Sequence, residues 1–348
     1  MRHLFIIHSH ATHRCAHAII RALGLPPEDC RFGTNRGFEP PPVPEQSATS
    51  SFRAFPSLHE PNGNAIRPVL RLRGIRNDMD RQIAGLIGDG PYHCYLPHTY
   101  FDPFHFLITH PQCDGFSYIE EGLTSYYEPG EIDAAYPPWR FSRRTRFLRR
   151  LVHGPRLQGE CAFFSKGHVK AYGFTDHTFP SWPGRITLGI DSLFPRGAED
   201  PKPSPPILVF DALVELGLTT EAALIAALGD FCETLCSQGV TGFHYKLHPT
   251  QAKSRSPMAI QSLFSSFREN LSAVALDADY PLEDHFSGHG GPVYVFNSGA
   301  GLYAALRGKS VWSLNPLIEA RDPDYHRTVA RLPAVFHRLV KPCVSRSS

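Results

Sequence analysis

The stretch ILVFDALVELGLTTEAALIAALGDFCETLCSQGVTGFHYKLHPT, residues 207–250, decides the fold. It opens on consecutive apolar residues, Ile207 to Phe210, a run too short for a helix and suited to a strand buried on both faces. From the cap candidates Thr219 and Thr220 to about Gln238, apolar residues recur at three- and four-residue spacing, which predicts a helix. Val240 to Leu247 reads as a second strand, ended by Pro249. Strand, helix, strand is a βαβ unit, the crossover that parallel strands require.

The same pattern recurs on either side. Val293 to Phe296 runs into Asn297-Ser298-Gly299-Ala300-Gly301 and a helix beginning near Leu302, while the chain opens with a strand at Leu4 to Ile7 and a helix from about Ala11 to Leu25. This alternation predicts the α/β class, with two Rossmann-like domains facing across a cleft. The length of 348 residues, about twice an ordinary domain of ~150, agrees with two domains. Proline clusters mark the loops. One excursion spans 34–64, and the stiff segment from Pro195 to Pro206 separates the domains, giving 1–200, 201–330 and a terminal helix or tail, 331–348, expected to pack back on the N-terminal domain.

Composition narrows the function classes. Hydrophobic residues make up 42%, enough for sizeable cores, and the net charge of +2 is too near zero for a general nucleic-acid binder. Only Leu4 to Ile7 is apolar near the N-terminus, against the ~7–15 residues of a signal-peptide core, and no run reaches the ~18 of a membrane helix. The expected location is cytoplasmic, at most peripheral at the inner face of a membrane. The eight cysteines lack any CxxC pair and read as reduced thiols, with Cys232 and Cys236 packing on one helix face.

Three loci stand at predicted strand ends, where open α/β sheets bind ligands. Tyr118-Ile119-Glu120-Glu121-Gly122 offers adjacent carboxylates for general-base work, with a glycine that permits a tight turn. Lys246-Leu247-His248-Pro249 sets a cation and an imidazole on one side of a strand at its rim, an arrangement suited to a phosphate. His-Pro also occurs at His110-Pro111, so the strand context carries this reading. Asn297-Ser298-Gly299 opens a helix, where backbone N–H groups and the helix dipole favour an anion. Neither GxGxxG nor GxxxxGK[ST] is present, which weighs against nicotinamide enzymes and P-loop NTPases.

In this order the loci resemble the bacterial sialyltransferases of GT-B architecture, including the polysialyltransferase and lipooligosaccharide sialyltransferase families. Tyr118 to Gly122 resembles their D/E-D/E-G motif, Phe243 to Pro249 their HP motif, and Ser298 their serine/threonine motif; Phe5-Ile6-Ile7-His8-Ser9 and the lead-in from Ile207 match more faintly. Residues 26–110 and 130–200 show no match. The resemblance implies transfer of sialic acid from CMP-sialic acid to a hydroxyl of a glycan acceptor, galactose-terminated or polysialic, by inversion and without metal or cofactor. It implies Glu120 as general base with Glu121 in support, and His248 as general acid on the CMP phosphate. Lys246, Pro249, Asn297, Ser298, Gly299 and Gly122 would line the nucleotide site. This chain has Glu-Glu where many members carry an Asp, which leaves the choice of base within the pair open, and Leu247 where a Pro often precedes the His. Transferases using CMP-Kdo or CDP-glycerol, and a non-catalytic CMP- or glycan-binding protein, are the alternatives.

The remaining polar clusters read more plainly. Asp277-Ala278-Asp279 follows the HP motif and is a solvated loop rather than a metal motif. His8, His10, His13 and His17 bring no carboxylate, so metal binding is not expected, although His8, Ser9 and His10 are candidate donor contacts. Arg143, Arg146 and Arg150 share a helical face that suits solvent, anionic lipid or a polyanionic acceptor.

Overall fold

The computed structural model describes residues 1–34, 38–41, 49–51, 66–100, 102–137, 139–140, 143, 146–147, 150–151, 156, 160–194, 204–252, 256–277 and 280–343. The chain forms two compact units, Met1–Leu193 and Phe194–Ser348.

The first unit starts with β1 (Arg2–Ile7), whose Leu4, Phe5, Ile6 and Ile7 are buried, because parallel neighbours flank the strand and apolar layers cover both faces. The helix His10–Leu23 follows at once. Its Ser9 cap accepts from the Thr12 N–H while the Thr12 hydroxyl accepts from the Ser9 N–H, and Gly24 ends it at φ 60°. After β2 (Cys30–Thr34) comes β3 (Thr49–Ser51), a short strand within the stretch read as a proline-rich excursion; it pairs parallel to β2, and the rest of that excursion is largely outside the described residues. The sheet is completed by β4 (Tyr92–Leu96), β5 (Cys113–Ile119), β8 (Ala171–Gly173) and β9 (Arg185–Thr187), in the order β3-β2-β1-β4-β5-β8-β9. β6 (Trp139–Arg140) and β7 (Glu160–Cys161) form a separate antiparallel pair.

The second unit orders β10 (Ile207–Val209), β11 (Gly242–Lys246), β12 (Ser272–Ala275), β13 (Val293–Val295), β14 (Val311–Ser313) and β15 (Lys341–Pro342) as β12-β11-β10-β13-β14-β15, all parallel. The stretch 331–348 thus contributes the last strand of this sheet. The helix Glu221–Ser237 is capped by Thr220, whose hydroxyl accepts from the Ala223 N–H, and buries Leu224, Leu228, Phe231 and Leu235 at helical spacing. Each such side chain contributes about 1.5–3 kcal/mol by leaving water. Cys232 is buried in the same core. Cys15, Cys30, Cys94, Cys113, Cys232, Cys236 and Cys343 are free thiols, and no described helix is long and apolar enough to cross a membrane.

In both sheets the first strand lies between the second and the fourth, so the chain winds first to one side and then to the other. At the carboxyl ends of β1 and β4, and of β10 and β13, successive loops therefore diverge and leave a crevice. Helix and strand approach closely at the second of these, since a methyl on Gly301 would lie 2.6 Å from Val295 Cγ1. Gly301→Ala should lower stability by about 1–3 kcal/mol, measured by denaturant unfolding; an unchanged midpoint would show that the close packing is not a constraint.

Candidate functional site

The acidic motif sits where β5 leaves the first sheet, and one more ladder hydrogen bond follows the last residue of the strand, Ile119. The Glu120 N–H donates to the Tyr172 carbonyl of the adjacent strand β8 at 3.0 Å, so Glu120 is still held in the ladder and its side chain points into the unit. There it is fully buried, at 0% exposure. The Tyr126 hydroxyl donates to its Oε1 at 2.6 Å, and the Phe174 N–H and Thr178 hydroxyl donate to its Oε2 at 2.7 and 2.9 Å. Burial, and then the carboxylate itself, push the Tyr126 phenol well above its ordinary range, so it stays a donor. Thr178 in turn packs against the bare Cα of Gly173. Glu120 ties β5 to the 174–178 turn.

Glu121 projects to the opposite side. Its Oε2 lies 3.1 Å from His8 Nε2 and 3.8 Å from His98 Nε2, and its Oε1 accepts from the Thr124 hydroxyl at 2.7 Å. Gly122 turns the chain immediately afterwards at φ 135°, a conformation open to glycine. His8 follows β1, His98 follows β4 and Glu121 follows β5, so this carboxylate and two imidazoles converge at the first sheet's switch point. The Tyr100 N–H donates to His98 Nδ1 at 3.2 Å, which places the proton of the neutral ring on Nε2, the nitrogen turned toward Glu121. Sequence reasoning missed His98. The signal that could have found it is the short run Tyr92 to Leu96 just before it, which sequence reasoning did not single out as a strand.

The neighbouring histidines have other work. Ser9 is the helix cap, the His10 ring meets Phe38 edge-on at 5.1 Å, and His13 and His17 bond to each other through Nε2 at 3.0 Å beside Phe32. Burial, reinforced by the nearby His17, His10 and Arg14, pushes His13 down to about 3, as expected of a neutral core histidine. Among the described residues no group of three or more His, Cys, Asp or Glu is arranged to hold a metal ion. Ala278 and Asp279 lie outside the described residues.

In the second unit Lys246 ends β11 and is buried, His248 is half-buried at the rim, and Pro249 opens the short turn Pro249–Ala252. The Thr250 N–H donates to His248 Nδ1 at 3.2 Å, leaving the proton of the neutral ring on Nε2. At the end of β13, Ser298 caps the helix Gly299–Leu306 by accepting from the Ala300 N–H. The Asn297 side chain is committed inside the unit: its amide donates to Tyr325 and its carbonyl accepts from Asn315, at 3.0 and 2.9 Å. Asn297 therefore positions the turn instead of offering its side chain to a ligand. His248 and Ser298 follow the strands on either side of β10, at this sheet's switch point. Elsewhere, Arg143, Arg146 and Arg150 are exposed in helical conformation, with Phe147 and Leu151 exposed beside them at 64% and 71%.

No family model matches the chain, and no curated protein matches it. Solved structures do. A Listeria monocytogenes protein assigned as a UDP-N-acetylglucosamine 2-epimerase is similar at TM-score 0.52 and 11% identity, over 99% of this chain and 92% of the other. The UDP-GlcNAc 2-epimerase of Methanocaldococcus jannaschii, solved with UDP-GlcNAc and UDP, is similar at TM-score 0.50 and 11% identity, over 90% and 84%. These likenesses, with the strand orders, show the fold: α/β, GT-B, built of two Rossmann-like units.

The two glutamates should separate experimentally. Glu120→Gln replaces charge-assisted hydrogen bonds inside the core and should cost about 1–3 kcal/mol of stability, whereas Glu121→Gln should change it by well under half of that. Thermal and denaturant unfolding read the difference, and an equal loss in both variants would contradict the structural role of Glu120.

Proposed function

We propose that the protein is an inverting, metal-independent glycosyltransferase that moves sialic acid from CMP-sialic acid to a hydroxyl of a glycan acceptor. The observation that carries the reading is the convergence of Glu121, His8 and His98 at the first sheet's switch point, in a fold whose second unit sets His248 and Ser298 at the equivalent place. The motif resemblance supplies the donor.

The division of roles within the acid pair follows from burial. Glu120, the base implied by the motif, is sealed among protein donors, so the general base passes to Glu121. It takes the acceptor proton as the new C–O bond forms at the anomeric carbon. His8 Nε2 orients this carboxylate, while Thr124 holds its other oxygen. The departing bond is that between the anomeric carbon and the CMP phosphate. His248 donates from Nε2 to that phosphate, Lys246 offsets its charge, and the Ser298–Gly299 turn offers backbone N–H groups. The exposed Arg143, Arg146 and Arg150, with Phe147 and Leu151, would give a polyanionic acceptor or an anionic membrane surface its footing.

A second reading, a uridine-nucleotide enzyme such as an epimerase, is favoured by the bound ligands of the Methanocaldococcus jannaschii structure. Calorimetry with CMP and UMP separates the two. The sialyltransferase reading expects CMP to bind more tightly than UMP, with the same affinity in EDTA; preference for UMP would overturn it. With CMP-sialic acid as donor, Glu121→Gln should lower kcat by roughly 10²–10⁴-fold with little change in CMP affinity. His248→Ala should weaken both, and His110→Ala neither. Equal loss on mutating His110 would contradict the choice of histidine.

A further inference from the structure

The second sheet carries a carboxylate in the middle of its switch point. Val209 of β10 pairs with Lys246 on one side and Val295 on the other, and two residues beyond each lie Asp211, His248 and Asn297. Neighbouring strands are about 4.8 Å apart, so Asp211 stands between the imidazole and the turn assigned above to the nucleotide phosphate. Its position is fixed. The Asn297 N–H donates to Asp211 Oδ2 at 2.8 Å, and the Asn297 side chain is itself braced by Tyr325 and Asn315.

An ionised carboxylate there would repel the phosphate that the other groups attract. The same carboxyl, once protonated, can still accept from Asn297 N–H through one oxygen and can donate its own O–H to a phosphate oxygen through the other. Its surroundings make that proton accessible near neutrality. Burial raises its proton affinity, the Asn297 N–H partly opposes this, and the outcome is about 6. Lys246 at the end of β11 and His248 two residues beyond it lie on the neighbouring strand, and the Tyr325 phenol of the 323–325 turn interacts with the Asp211 charge, with Glu319 and Asp322 acting on Tyr325 from beyond. A phosphate dianion arriving in this row raises the carboxyl's proton affinity further by like-charge repulsion.

We propose that Asp211 is a proton-linked contact of the nucleotide phosphate site: it binds the phosphate of a nucleoside monophosphate as a neutral acid, taking one proton from solvent as the ligand enters. The proposal rests on the nucleotide reading of this sheet. It sets a pH limit on affinity that Lys246 and the backbone N–H groups alone would not impose.

The test is calorimetry of CMP binding at pH 7.5 in two buffers of different ionisation enthalpy, which reads protons taken up per CMP bound. Wild-type protein should take up between half and one proton, and its affinity should fall by up to tenfold from pH 6.5 to 7.5. Asp211→Asn keeps an acceptor for Asn297 N–H and should bind CMP with little or no proton uptake and a flatter pH dependence. Uptake that persists in Asp211→Asn would put the proton on His248 or the phosphate and overturn the proposal. So would CMP binding to wild-type protein without uptake. If wild-type protein bound no cytidine nucleotide at all, the nucleotide reading would fall, and this proposal with it.

Discussion

Parallel strands can be joined only by crossovers, and crossovers of one hand lay their helices on a face chosen by the direction of winding. In each unit the chain winds outward from its first strand, returns, and winds the other way, so the ends of β1 and β4, and of β10 and β13, are left without a loop across them. The candidate site depends on that reversal. It places His8, His98 and Glu121 at one crevice, and Asp211, His248 and Ser298 around the other, from segments far apart in sequence.

The acid pair shows how a single backbone hydrogen bond divides two identical side chains. Because Glu120 N–H remains in the ladder with Tyr172, the strand's alternation sends Glu120 inward and Glu121 to the site. A buried carboxylate is tolerable only when its oxygens are met by donors, and Tyr126, Phe174 and Thr178 meet them. The structural acid thereby fixes the 174–178 turn to β5 immediately before Glu121.

Much of this was legible in the sequence because it depends on local pattern. Apolar runs marked β1 and the strands on both sides of the second switch point, Thr220 and Ser298 announced their helices, and the rim position of His248 followed from alternation ending at a proline. What was not legible depends on one-residue differences and tertiary packing. The apolar run of β5 ends at Ile119, so nothing local shows that a ladder hydrogen bond extends to Glu120 and buries it. His98 has no motif of its own and gains meaning only when β4 is placed beside β1. Asn297 reads as a ligand donor until Asn315 and Tyr325 are brought to it. β3 could not be read from a proline-rich stretch, because its strand character comes from the open edge of β2.

The central claim is that the second unit's switch point holds a cytidine nucleotide by its phosphate. Hydrogen exchange with and without CMP tests it at the level of backbone amides. The account predicts slowed exchange in the turn 297–302 and in 247–250 at the rim of β11, with the amides of 118–126 in the first unit unchanged by CMP alone. CMP bound with both second-unit turns exchanging as before would contradict it.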